Sequence, residues 1–367
     1  MRPVLSHISE SRCGAPVFVL SEKSGRLYHA LMSEKLRFGV LSTANIGLKK
    51  VIPAMQQGEL TIVAAIASRD LGKAREAAAQ LGIPTAYGSY EELLADPNID
   101  AIYNPLPNQM HVPLTVKAAE AGKHVLCEKP LSMTVSEAKT LLGVRERTGV
   151  KICEAFMIRS AQQWLRVRQL LDEGRIGELR AVNAHFSYHN VNPGNIRNRV
   201  ETGGGGVYDI GCYCIQASRF AFKQEPLRVV ALVDRDPQMK TDRLASAILD
   251  FPSGQAIFTC STQLIPYQRV HFLGTRGRIE LEIPFNAPND RPTRLFVDAT
   301  GDLTFNGIAT ETFPTADQYT LQGDAFARAV FENSEVPVPL EDSIANMAVI
   351  EAIFRSGNSG RWEAVER

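Results

Sequence analysis

The stretch Leu36-Arg37-Phe38-Gly39-Val40-Leu41-Ser42-Thr43-Ala44-Asn45-Ile46-Gly47 decides the fold of this chain. An apolar run of strand length leads directly into small residues and then into a helical segment. That order places Ser42 to Gly47 where a Gly-x-Gly-x-x-Gly turn would cradle a pyrophosphate on a helix N-terminus. Only the third glycine, Gly47, is present. Ser42 and Ala44 are small enough to let backbone amides approach a phosphate, so Ser42, Thr43, Ala44, Asn45 and Ile46 form the candidate cradle. Taken alone, any strand, turn and helix could look this way; the neighbouring sequence adds the weight.

Outward from this turn, short apolar runs alternate with helical spacing, the mark of βαβ units and a parallel sheet. The strands read as Arg37 to Leu41, Ile62 to Ala67, Ala101 to Tyr103, His124 to Cys127 and Lys151 to Glu154. Helical spacing runs over Gly72 to Leu81, Tyr90 to Leu94, Val112 to Ala121 and Val135 to Arg147. After Glu154 the pattern changes. One amphipathic helix, Gln162 to Asp172, precedes long alternating strands at Leu179 to His189, Arg228 to Asp234, Leu244 to Asp250, Gln255 to Ser261, Arg269 to Gly274 and Arg278 to Ile283. Helical spacing returns at Gln318 to Glu332 and Leu340 to Arg355. The expected fold is α/β: an N-terminal Rossmann domain over 35–154, then a C-terminal α+β domain over 155–340 with a large, open, mostly antiparallel sheet. A helix and tail, 341–367, complete it. Residues 1–34 read as an N-terminal extension, with Met32 the expected natural start; the alternative is an arm that packs on a partner subunit.

Composition narrows the function. Lys and Arg total 40 against 40 Asp and Glu, so the net charge is zero and the basic footprint of a nucleic-acid or anionic-membrane binder is missing. Small neutral substrates fit better. No apolar run approaches the ~20 residues of a membrane span. The six cysteines are scattered without metal-ligand spacing, which suggests reduced thiols and a cytoplasmic location. Cys212 and Cys214 read as helix packing. His185 and His189 share a strand face, but nothing nearby completes a metal site.

About twenty residues past the turn, an acidic side chain usually accepts from the ribose hydroxyls of a cofactor without a 2'-phosphate. Here Ser68-Arg69 occupies that place, with Lys73 one helical turn on. An arginine can pair with a 2'-phosphate, which favours NADP over NAD. Two roles stay open for Asp70, helix cap or ribose reader, and Arg69 could equally be a solvated surface residue. Past the third strand, Pro105, Leu106, Pro107, Asn108 and His111 lie at the carboxyl end of the sheet, where such sheets bind ligands. His111 could instead cap the next helix.

The chemistry points to Cys127-Glu128-Lys129-Pro130 and to Asp209 with Tyr213, which follow the glycine run Gly203 to Gly206. Oxidising an alcohol needs a base for the hydroxyl proton, and a tyrosine with pKa near 10 is too weak unless a cation stabilises its phenolate. Lys129 is the candidate cation, Tyr213 the acid/base, and Asp209 the group that positions substrate. Their i, i+4 spacing puts Asp209 and Tyr213 on one helix face. Each also has a plain structural reading: surface lysine, core aromatic, helix cap.

These residues resemble the Gfo/Idh/MocA family, named for glucose-fructose oxidoreductase and inositol dehydrogenase. The resemblance runs from Leu36 to Glu363. It rests on Ala67-Ser68-Arg69-Asp70, Pro105-Leu106-Pro107-Asn108, Glu128-Lys129-Pro130, Asn195-Ile196-Arg197, Gly204-Gly205-Gly206 with Asp209-Ile210-Gly211-Cys212-Tyr213, and Gly274-Thr275-Arg276-Gly277-Arg278. Tyr213 points to the branch of dimeric dihydrodiol dehydrogenase and NADP-dependent D-xylose dehydrogenase. The resemblance implies that Lys129 and Tyr213 serve proton transfer, that Asp209 holds substrate, that the Lys129-Pro130 peptide is cis, and that the open sheet forms a homodimer or homotetramer. Two features depart from the family: the reduced glycine turn, and Phe156 to Gln162, which lacks the aromatic and histidine often found after the arginine.

The expected function is an NADP-dependent oxidoreductase moving hydride between nicotinamide and a hydroxyl of a sugar, cyclic polyol or dihydrodiol. Glu128 joins the cofactor contacts, and Arg159, His189, Asn195 and Arg197 join Asp209 on the substrate side. The alternatives are a sugar-sugar oxidoreductase with tightly bound cofactor and a non-catalytic NADP-sensing regulator.

Overall fold

The computed structural model describes residues 35–304 and 306–366. The expected extension over 1–34 lies outside them. Strand Leu36–Leu41 (β1) is buried at five of its six positions because it lies inside a six-stranded parallel sheet. The others are Thr61–Ala67 (β2), Thr85–Tyr87 (β3), Ala101–Asn104 (β4), His124–Cys127 (β5) and Ile152–Glu154 (β6), in the order β3-β2-β1-β4-β5-β6. The order reverses at β1, so the loops after β1 and β4 flank a crevice at the carboxyl ends of the strands. β3 escaped the sequence reading because three half-buried residues carry no period.

The helices are Ile52–Met55 (α1, entered through a π turn at Gly47–Val51), Leu71–Leu81 (α2), Tyr90–Leu94 (α3), His111–Glu120 (α4), Val135–Thr148 (α5), Gln162–Asp172 (α6), Cys212–Phe222 (α7), Gln318–Phe331 (α8) and Leu340–Ser359 (α9). Local chemistry sets several ends. The Asp70 side chain accepts from Lys73 N at the start of α2, and Gly82 closes it at φ +66°. Thr134 caps α5 through Glu137 N, with Gly149 at φ +69° after it. Among the described residues no helix is long and apolar enough to cross a membrane.

The second sheet has nine strands in the order β14-β13-β12-β11-β7-β10-β9-β8-β15. They are Leu179–His189 (β7), Arg228–Arg235 (β8), Asp242–Phe251 (β9), Gly254–Ser261 (β10), Gln263–Gly274 (β11), Arg278–Leu281 (β12), Thr293–Asp298 (β13), Ala309–Phe313 (β14) and Glu363–Ala364 (β15). Every pair is antiparallel except β7 with β10, which run parallel. Alternation sends Val182, Ala184 and Phe186 of β7 inward and Asn183 and His185 to the open face. The inner face packs on helices, and Trp164 of α6 anchors it against Phe272 and Phe285 while its indole N–H donates to Pro284 O at 2.7 Å. Leu232, 79% exposed, stands on the open face with Ile257 and Tyr267.

Two late helices return to the first sheet. α8 was expected within the 155–340 domain, yet it packs against the β1 and β2 side. Phe326 meets Phe38 at 5.9 Å, and Asp324 accepts from Leu60 N at 2.9 Å. α9 buries Ile344, Met347, Val349, Ile350 and Ile353, lies on β8, and reaches α5 through Glu351, which accepts from Val135 N at 2.8 Å.

Candidate active site

The crevice at the reversal point opens into a cleft of about 870 Å³. Ala44, Asn45 and Ile46 line one side, and Pro105, Leu106, Pro107, Asn108 and His111 the other. Ser42 holds φ +77°, the left-handed conformation that glycine would supply at the start of such a turn, and its Oγ accepts from Ala44 N at 3.3 Å. The chain becomes helical at Asn45, so a helix N-terminus faces the cleft. A Cβ on Gly47 would meet only ordinary contacts at 3.8 Å, so space alone does not demand that glycine.

Ser68, Arg69 and Lys73 lie beside this turn rather than in the cleft, because β2 runs next to β1 and Ala67 O accepts from Ser42 N at 2.8 Å. Ser68 is buried and its Oγ accepts from Asp70 N at 3.2 Å, whereas Arg69 and Lys73 are exposed. Asp70 is spent as the cap of α2.

His111 is buried between two carbonyls, with Nδ1 2.7 Å from Pro130 O and Nε2 2.7 Å from Leu106 O. Burial pushes its pKa down to about 4, against the pull of both carbonyls. It therefore braces the loops after β4 and β5 against each other. Asn108 donates to Gly203 O at 2.8 Å and joins the same loop to the glycine run. Glu128 accepts from Tyr103 OH at 2.7 Å, and burial raises its pKa.

The Lys129-Pro130 peptide is cis. Lys129 Nζ donates to Asp209 O at 2.5 Å and lies 3.2 Å from Asp209 Oδ1, with only 11% and 13% of the two side chains exposed. Asp209 Oδ2 accepts from Tyr188 OH at 2.6 Å and Arg197 Nε at 2.9 Å. Burial would raise the Asp209 pKa, but Arg197 and Lys129 outweigh it and hold the carboxyl well below the usual carboxylate range. Burial alone would lower Lys129, yet Asp209, Cys212 and Glu128 leave its pKa raised. Both partners thus stay charged.

Tyr213 corrects one expectation. Its hydroxyl donates to Met157 Sδ at 3.3 Å, and Lys129 Nζ sits 4.9 Å over its ring. Burial, then Tyr319 and Glu128, push its pKa well above 10 in this arrangement. The i, i+4 spacing is also interrupted: Val207–Gly211 is a π turn, and α7 begins only at Cys212.

His189, Asn195 and Arg197 line the cleft. Arg159, expected on the substrate side, does not: its side chain leaves the turn at Met157–Ser160 toward α7 and α9, over the Phe220 ring at 4.9 Å and 3.5 Å from Asp342. Tyr188, Phe186, Asn190, Asn192, Asn286 and Tyr319 line the cleft without having been foreseen. Strand alternation could have found Tyr188, which shares the inward face of Phe186. Nothing local could have found Tyr319, which arrives with α8.

Comparison with known proteins agrees with this architecture. A family model described as an oxidoreductase family with an NAD-binding Rossmann fold matches residues 36–156, and one for a GFO/IDH/MocA C-terminal domain matches 164–280. An oxidoreductase of Rhizobium meliloti is 47% identical over 90% of this chain and 99% of its own. A D-xylose 1-dehydrogenase (NADP+) of Haloferax volcanii is 40% identical over 89% of this chain and 98% of its own. The solved 3-ketoreductase of Actinomadura kijaniata, in complex with NADP and TDP-benzene, superposes with a TM-score of 0.80 at 29% identity, covering 88% of this chain and 98% of that one. This chain is an oxidoreductase belonging to the Gfo/Idh/MocA family.

Proposed function

We propose that this chain is an NADP-dependent dehydrogenase acting on a hydroxyl of a sugar, cyclic polyol or dihydrodiol. The observation that carries the reading is the buried contact of Lys129 with Asp209 inside the cleft, beside the Tyr213 ring and the loops that flank a dinucleotide crevice. An aligned set of donors and acceptors at low solvent exposure is what orienting and deprotonating an alcohol requires.

The chain fits the cofactor on its own geometry. Amides at the helix N-terminus near Ala44, Asn45 and Ile46 would hold the pyrophosphate, with Ser42 supplying the turn and Thr43 beside it. Asp70 is occupied as a cap, which leaves Ser68, Arg69 and Lys73 to read a 2'-phosphate. Pro105, Leu106, Asn108, His111 and Glu128 border the nicotinamide end. Bound there, NADP would accept hydride from the alcohol carbon.

Lys129 and Asp209 orient the reacting hydroxyl, His189, Asn195 and Arg197 contact the rest of the substrate, and Tyr213 moves the proton after its hydroxyl leaves Met157. The 3-ketoreductase relative has also been solved with one tyrosine replaced by phenylalanine and with one lysine replaced by alanine. Those positions stand as far apart in its chain as Tyr213 and Lys129 do here. The domains divide at 154, and the exposed apolar face of the nine-stranded sheet joins copies into a homodimer or homotetramer in the cytoplasm.

Titrating the protein with NADPH and NADH by fluorescence, then screening aldoses, inositols and trans-dihydrodiols with the oxidised cofactor, tests the reading. Tight NADPH binding with turnover of one class is expected. Binding without turnover on the whole panel would turn the assignment toward a regulator.

A further inference from the structure

We infer that Asp242 is a positioning residue of the reaction: from the first position of β9 its carboxylate holds the amide end of the segment that carries Asp209, and so sets where Asp209 meets Lys129. The catalytic consequence rests on the dehydrogenase reading; the geometry does not.

Asp242 is 1% exposed and is not part of the cleft lining. Val207 N donates to its Oδ2 at 2.6 Å, and the Gly206 amide also favours its charge. These are leading amides of a helical segment, which have no carbonyl partner within it and carry partial positive charge. Such amides are ordinarily capped by the side chain just before them. Here that place is the glycine run, which has no side chain to offer, and the cap arrives from a strand 35 residues further on.

The glycines record the same contact from the other side. Gly205 holds φ +121°, and a Cβ there would overlap the Asp242 carboxylate. Asp209 N in turn donates to Gly205 O at 3.0 Å. The path from Asp242 to Asp209 therefore runs through backbone alone, without a flexible side chain between them. Burying a carboxylate without an ion-pair partner is costly. Arg235 favours the Asp242 charge only from beyond ion-pair distance. The position of the amides it grips explains why a carboxylate stands there.

The test compares Asp242→Ala and Asp242→Asn with wild type, reading NADPH affinity, kcat, KM and crystal structures. The alanine variant is expected to lose about 10- to 100-fold in kcat, the scale of an ångström of misplacement, with KM and NADPH affinity held within about 3-fold. Asparagine keeps an acceptor oxygen in place and should restore most of kcat, a rescue that general loss of folding would not give. Unchanged kcat in Asp242→Ala, or parallel losses in kcat and NADPH affinity, would overturn the inference. So would an alanine variant whose crystal structure keeps Asp209 on Lys129 and Tyr188. Wild type that binds NADPH but turns over no substrate would sink the dehydrogenase reading instead, and the crystal structures would still decide the positional one.

Discussion

The two ends of the cleft handle charge in opposite ways. Beside the first turn, Arg69 and Lys73 are exposed on the entry to α2, Arg69 next to the Tyr90 hydroxyl, with Asp70 between them used as a cap. At the far end, Lys129, Asp209, Tyr188 and Arg197 bind one another with the Lys129 and Asp209 side chains almost wholly buried. Exposed charge is screened and replaceable, so substitution at the first end is expected to leave folding intact. Buried charge is kept only while every partner is present, so under the proposed function the second end couples chemistry to stability.

The largest expected effect is at the buried end. Lys129→Met should cut kcat by at least about 100-fold, and by leaving Asp209 short of a cation it should also cost about 3 kcal/mol of stability, measured by denaturant unfolding. If stability held while kcat fell, the coupling between chemistry and fold would be broken. Tyr213→Phe separates the two consequences. It keeps the ring under Lys129 and loses only the hydroxyl on Met157, so kcat should fall about 100-fold with unfolding unchanged within about 1 kcal/mol. Retained turnover would end the proton role of Tyr213.

At the exposed end, Arg69→Ser should weaken NADP binding by about 10-fold and leave NAD binding and the melting temperature alone. A loss for both cofactors would mean that Arg69 serves the fold. The smallest effect concerns pH. Burial raises Glu154 and Asp242 to about 7 each, so both favour the protonated form in the fold. Their stabilising share is present below their unfolded pKa values and is lost as pH rises toward about 7. Glu154→Gln should flatten the fall in stability between about pH 4 and 7, seen in melting temperatures across that range.

Much of the fold was readable because its signals are local. β7 was bounded correctly from alternation alone, and the strand-turn-helix at Leu36 to Gly47 placed the crevice before any contact was known. The cleft lining was readable in part: Lys129 and Asp209 stood out from the sequence around them, Asn195 and Arg197 from the family resemblance, and all four line the cleft. Arg159 misled because its side chain is taken up by Phe220 and Asp342 instead of the cleft, a choice of partners that no local pattern records. The long β11 was cut short because three residues, Leu264 to Pro266, loop out of its pairing with β7 and break the alternation.

The sequence by itself picked out Lys129, Asp209 and Tyr213 as candidates and bounded most of the strands and helices around them, because periodicity, caps and turn residues act over a few positions. Only the tertiary structure decided how those residues address one another. Lys129 pairs with Asp209 rather than with the Tyr213 hydroxyl, Tyr319 comes to the cleft on a helix that packs against the first sheet, and Asp242 caps a segment 35 residues behind it. Those choices follow from burial, where each charge and each amide must find a partner wherever the packed chain brings one, and no local pattern records which partner that will be.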